Sequence, residues 1–273
     1  MRAAVAVGGL LAALAGLSGC VHEGAPVPPA GPRNSSDGKD LATASDQTNA
    51  DRLAKTRMDL AAAYFARGQA TDALDEVKLA LVARPDNPDG YALRGLIYAS
   101  LGNATTADES FRKAMELAPH DGNVMHNYAW FLCQQQRFPE ADAEFAVALA
   151  EPSYKSPDRT QLARGVCQAR AGRWSDAEHT LSKAYELDPA NPVTAVNLSR
   201  VLYKNGQYDR ARFYIRRVNT KDEFVSAQTL WLAAQIEHKL NADDQVQDMG
   251  AQLHKRFPTA PETSLFDKGR FDE

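Results

Sequence analysis

Apolar residues fall at helical spacing in paired stripes from residue 54 onward. Leu60, Ala61, Tyr64 and Phe65 make a first stripe, Gly68 interrupts it, and Ala73, Leu74, Val77, Ala80 and Leu81 make a second. The pair then recurs with a fixed step. Tyr64-x8-Ala73-x11-Pro85 is followed by Tyr98-x8-Ala107-x11-Pro119, with each landmark displaced by 34 residues. Gly68 and Gly102, and Ala80 and Ala114, keep the same step. Two short helices per period, each too weakly apolar to stand alone, predict a stacked helical array. Such an architecture points to binding and away from catalysis.

The small-and-large alternation within each period resembles the tetratricopeptide repeat, in which small residues let two antiparallel helices approach and larger ones fill between repeats. Ala61 and Ala73 take the small positions, and Tyr64 and Val77 the large ones. That resemblance implies an all-α, right-handed superhelical solenoid of about six repeats, in a domain spanning residues 51–261. The repeats are expected near 54–87, 88–121, 122–157, 158–191, 192–225 and 226–259. Pro152-Ser153-Tyr154-Lys155-Ser156-Pro157 adds two residues after the third, since Ala141 to Ala177 spans 36 positions. Pro85-Asp86-Asn87-Pro88 and Pro189-Ala190-Asn191-Pro192 are matching stop-and-start signals, with Asn as N-cap and Pro in the first turn. The sixth repeat is weak, with Ala233 and Ile236 in its first helix and Met249, Leu253 and Pro258 assigned to its second. Residues 262–273 read as a polar C-terminal tail.

Composition adds little until the front of the chain is considered. The 273 residues are 44% hydrophobic and carry a net charge of −4, which disfavours a nucleic-acid partner. Arg2, an apolar stretch from Ala3 to Ala15, and Leu17-Ser18-Gly19-Cys20 form a segment too short to span a bilayer. It resembles a bacterial lipoprotein signal peptide, residues 1–19, with Cys20 as the lipidated residue. Val21 follows, where an Asp would mark inner-membrane retention in the lipoproteins it resembles, so the outer membrane, facing the periplasm, is expected. Residues 20–50 carry Pro26, Pro28, Pro29 and Pro32 among Ser, Gly and Asp, a tether composition with a reach on the order of 30 Å.

Tetratricopeptide arrays line a concave surface with their first helices, and counting from each repeat start assigns inward positions. They are Met58, Ala62 and Phe65, then Ala92, Leu96 and Ala99, then His126, Trp130 and Cys133, then Leu162 and Val166. The bulky points Met58, Phe65, Leu96 and Trp130 suggest an apolar groove for an amphipathic segment, though the same residues also suit packing between repeats. Cys133 and Cys167 fall near the ends of neighbouring first helices. In an oxidising compartment they favour a disulfide over two buried thiols. Arg210, Arg212, Arg216 and Arg217 form a basic cluster that reads as a solvated outer face or a contact for an anionic partner. Scattered histidines and the lack of phosphate loops or nucleophile elbows predict no metal, cofactor, small-molecule substrate or catalytic role.

Three strings go beyond a generic repeat: Asn127-Tyr128-Ala129-Trp130-Phe131-Leu132-Cys133-Gln134-Gln135, Gly165-Val166-Cys167-Gln168-Ala169-Arg170-Ala171-Gly172, and Leu230-Trp231-Leu232. With the lipidation signal, tether and six repeats, they resemble the type IV pilus biogenesis and stability lipoproteins of the PilF/PilW type. The resemblance implies a pilotin at the outer membrane that binds the secretin subunit and promotes its localisation and multimerisation. It also implies that Cys133 and Cys167 are the family's cysteine pair. A general periplasmic scaffold for cell-envelope assembly is the alternative.

Overall fold

The computed structural model describes residues 48–272; Cys20, the signal-like segment and nearly all of the tether lie outside the described residues. Among the described residues the regular structure is entirely helical. The helices alternate in hairpins. They are α1 (Asn49–Ala66) with α2 (Ala70–Ala83), α3 (Pro88–Ser100) with α4 (Ala104–Leu117), and α5 (Gly122–Gln134) with α6 (Phe138–Ala150). Then follow α7 (Pro157–Arg170) with α8 (Trp174–Leu187), α9 (Pro192–Lys204) with α10 (Tyr208–Asn219), α11 (Ala227–Lys239) with α12 (Asp243–Arg256), and a short α13 (Pro261–Asp267). Each hairpin packs on the next, and first helices also meet first helices, as a helical solenoid requires.

Local chemistry sets the helix starts. Asn87 accepts from the Gly90 N–H at 3.2 Å, and Asn191 from Val193 and Thr194 at 2.9 and 3.3 Å, each ahead of a first-turn proline. Asp121 caps α5 through the amides of Asn123 and Val124. These bonds satisfy donors that a helix N-terminus cannot pair internally. Within each of the first five hairpins, one residue turns the chain at positive φ. It is Gly68, Gly102, Gly172 or Gly206 in four of them, and Gln136 at φ 60° in the third.

Packing inside a hairpin depends on small side chains. Ala73, Ala107, Ala141, Ala177 and Ala211 are all fully buried at equivalent positions on the second helices. At Gly95 an added Cβ would stand 2.9 Å from the Phe111 ring, so the helices α3 and α4 are closer there than any other residue allows. The fillers are large: Val77, Phe111, Phe145, Leu181 and Ile215, one in each of the first five hairpins and each essentially inaccessible, with Phe111 reaching Gly95 in its own hairpin and Tyr128 and Phe131 in the next. Truncating a buried Phe of this kind costs about 3–5 kcal/mol.

The longer connection after α6 is structured by one aromatic. Tyr154 lies against Gly122, where a Cβ would sit 2.5 Å from its ring, and its hydroxyl is 2.5 Å from Thr160 Oγ1. The added residues let the loop return a ring to the seam between α5 and α7.

The segment 262–273 departs from the expected polar tail. Residues 261–267 form α13, Thr263 is buried and donates to the Phe257 carbonyl at 2.7 Å, and Phe266 packs on Gly250. Pro258, assigned above to the sixth repeat's second helix, lies in the turn that leads there. After the sixth hairpin the chain continues as α13, which packs on both α11 and α12 and covers their apolar side. Seven residues are too few to display a helical period, which is why composition alone suggested a tail.

Candidate partner-binding surface

First helices α1, α3, α5, α7, α9 and α11 form one face of the array. Met58 and Phe65 lie on α1, Leu96 on α3 and Trp130 on α5, and all four are half-buried. Leu96 and Trp130 pack against the same cluster, around Phe111, Phe131 and Cys133. Met58 and Phe65 belong to a separate cluster around Ala61, Val77 and Ile97. Met58 also lines a hollow of about 500 Å³, together with Ala62 and the polar groups Lys55, Asp59, Arg84 and Asp89. The four residues therefore divide into an α1 pair and an α3–α5 pair.

Three positions counted as inward do not line that face. Ala92 is 5% exposed, His126 4%, and Cys133 is fully buried. His126 Nδ1 lies 2.7 Å from Thr160 Oγ1, its ring meets Phe145 edge-on, and burial, aided by the Arg159 charge, pushes its pKa down to about 4. It is a neutral core residue at pH 7. Cys133 on α5 is bonded to Cys167 on α7, with Cα atoms 5.8 Å apart and a sequence separation of 34. The bond staples two neighbouring first helices directly behind Trp130. Closing a loop of that length stabilises by about 4 kcal/mol on loop entropy.

A second device holds the repeats in register, and the apolar pattern gave no hint of it. Asp108 on α4 accepts from Tyr128 Oη at 3.0 Å and Arg137 Nη1 at 2.7 Å. Asp142 on α6 repeats the arrangement with Arg164 at 2.7 Å, Gln168 at 2.9 Å and Arg173 at 3.1 Å. Glu178 on α8 takes Asn205, Gln207 and Arg210. In each case an acid on a second helix grips the following hairpin. Burial would raise the Asp142 pKa, but the hydrogen bonds and charges of Arg164 and Arg173 outweigh it and hold the group below the usual carboxylate range. A signal was present, as a recurrence of Asp, Asp and Glu near the repeat period, hidden among the many other charges of the second helices.

The basic cluster is absorbed into the same lattice. Arg210 pairs with Glu178, while Arg212 and Arg216 reach Glu237 at 3.1 and 2.8 Å. The Glu237 side chain on α11 is 4% exposed, a buried charge made tolerable by two guanidinium groups. Arg217 instead lines a hollow of about 260 Å³ with Lys221 and Phe224. Three of the four arginines thus hold hairpins together. Among the described residues no group of three or more His, Cys, Asp or Glu side chains is placed to hold a metal, and no helix is long and apolar enough to cross a membrane.

Comparison with known proteins identifies the repeats. Tetratricopeptide-repeat family models match residues 88–121, 132–192 and 168–230. The type IV pilus assembly protein PilF of Pseudomonas aeruginosa is 25% identical over 209 residues, covering 77% of this chain and 82% of that protein. Among solved structures, PilW, a widely conserved type IV pilus biogenesis factor, superposes with a TM-score of 0.73 at 29% identity, over 78% of this chain and 97% of its own. The structure of P. aeruginosa PilF gives a TM-score of 0.71 at 23% identity, over 81% of this chain and all of that one, a likeness of fold. The chain is a tetratricopeptide-repeat protein related to the type IV pilus biogenesis factors PilF and PilW.

Proposed function

We propose that this protein acts in type IV pilus biogenesis as a non-enzymatic pilotin. In this reading Cys20 carries the lipid, the outer membrane supplies location, and the first-helix face captures the secretin subunit and promotes its multimerisation. The observation that carries the reading is the correspondence with PilW along nearly the whole of that protein. The half-buried α3–α5 pair, Leu96 and Trp130, backed by the Cys133–Cys167 bond, supports a rigid apolar contact for an amphipathic segment. Two or three acyl chains on Cys20 bury enough methylene groups for firm anchoring.

The test is a pull-down of membrane partners with the mature protein, comparing the native chain with Leu96→Asp and Trp130→Asp. Recovery of secretin by the native chain, with at least tenfold loss in both folded variants, is expected. Recovery of cell-envelope enzymes without pilus components would replace this reading with that of a general scaffold. Cys20→Ala leaves the folded repeats intact and moves the protein out of the outer-membrane fraction.

A further inference from the structure

The far end of the first-helix face is already occupied by the chain itself. After α13 the backbone turns at Gly269 and lays Phe271 against α11. The Phe271 ring stacks on Trp231 at 5.3 Å between centroids and on His238 at 4.5 Å. Its carbonyl accepts from Gln235 Nε2 at 3.1 Å and from Tyr203 Oη at 3.4 Å, and Asp272 pairs with Lys239. Ring, backbone and carboxylate are thus each recognised by a separate group, on two neighbouring first helices. Beside them lies a hollow of about 280 Å³ lined by Arg200, Tyr203, Lys204, Trp231, Gln235 and Glu262. Arg200 has no carboxylate within ion-pairing distance among the described residues, and the Lys204 ammonium lies only over the Tyr203 ring, at 5.8 Å. The lining of the hollow thus carries two cations, Arg200 and Lys204, and one acid, Glu262, and lifting the terminal segment away would also release Lys239 from Asp272.

We propose that this hollow, with the ledge under Phe271, is a docking site for a partner segment bearing an aromatic residue followed by acidic residues, and that Phe271 and Asp272 occupy it until such a segment displaces them. The inference extends the reading of the first-helix face as a partner surface to its opposite end, and requires no secretin to test. Stacking on Trp231 supplies the aromatic preference and the three cations the acidic one. An intramolecular segment competes at a local concentration in the millimolar range, so weak contacts suffice to keep the site closed.

The experiment is a fluorescence-anisotropy titration of the labelled peptide Gly-Arg-Phe-Asp-Glu, the sequence of residues 269–273. It uses the native chain, the double variant Phe271→Ala/Asp272→Ala, and that variant with Arg200→Glu/Lys204→Glu added, each verified as folded by circular dichroism. Vacating the ledge is expected to tighten binding at least tenfold, and charge reversal to abolish the gain. Equal affinity for the native chain and the double variant overturns the proposal, as does a gain that survives charge reversal or the absence of binding to all three. Equal binding of Gly-Arg-Ala-Asp-Glu overturns the aromatic requirement. The secretin pull-down with Leu96→Asp and Trp130→Asp reads the other end of the face, so either idea can fail alone.

Discussion

The two ends of the array solve the same problem differently. On α1, at the first end, only Ala54 and Ala61 are buried, and Leu53 and Leu60 stand 50% and 38% exposed. On α11, at the last end, nearly every residue from Ala227 to Glu237 is buried, enclosed by α10, α12, α13 and the returning segment at Phe271. A repeat has two sides to cover, and an internal one has neighbours for both. The α11 hairpin is covered by a short helix and two phenylalanines, Phe266 and Phe271, in place of a neighbouring hairpin among the described residues. The best-kept repeats are therefore not the best-buried ones: the weakest sequence match to the repeat pattern holds the most enclosed helix.

The central staple sets the scale for testing this contrast. Cys133→Ser with Cys167→Ser should lower stability by about 4 kcal/mol, read as the shift in chemical-denaturation midpoint at unchanged slope. A change below about 1 kcal/mol would mean that the α5–α7 seam holds without the bond. Next come the two ends. Phe266→Ala should cost about 2–3 kcal/mol and raise amide exchange along α11 and α12, while Leu53→Ala on exposed α1 should cost less than about 0.5 kcal/mol. Equal costs would erase the distinction between covered and open ends.

The turn series offers a smaller, two-sided check. Gly102→Ala places a Cβ at φ 76° and should lose about 1 kcal/mol, whereas Gln136→Gly at φ 60° should gain up to about 1 kcal/mol in thermal or chemical unfolding. A loss from the Gln136→Gly change would show that the native side chain contributes more than its backbone conformation costs. The smallest effect concerns pH. Because Asp142 and Glu178 titrate below their ordinary values in the folded chain, the stability they provide is present above the carboxylate range and is lost as pH falls through and below it. Asp142→Asn should flatten that decline between neutral and strongly acidic pH; an unchanged profile would remove Asp142 from the register-holding lattice.

Much of this architecture was legible in the residues. The 34-residue period, the small residues at Ala61 and Ala73, and the Asn87–Pro88 and Asn191–Pro192 starts are local or strictly periodic, and a helical array expresses such signals directly. The acid ladder of Asp108, Asp142 and Glu178 kept close to that period but was masked by ordinary surface charge. Glu237 gave no local sign of burial, because its neutralising arginines lie on a different hairpin.

The sequence by itself determined that the chain is a helical repeat array, since the pattern that pairs two helices lies within 34 contiguous residues. Which inward positions stay accessible was decided only by the tertiary structure. Trp130 keeps a half-exposed edge, while His126, one turn away, is covered by Phe145 and Thr160 from other helices. The same holds for the terminal segment: Phe271 became part of the first-helix face through stacking on Trp231, forty positions earlier in the chain. Burial and charge pairing between hairpins depend on groups far apart in the chain, and no period within one repeat encodes them.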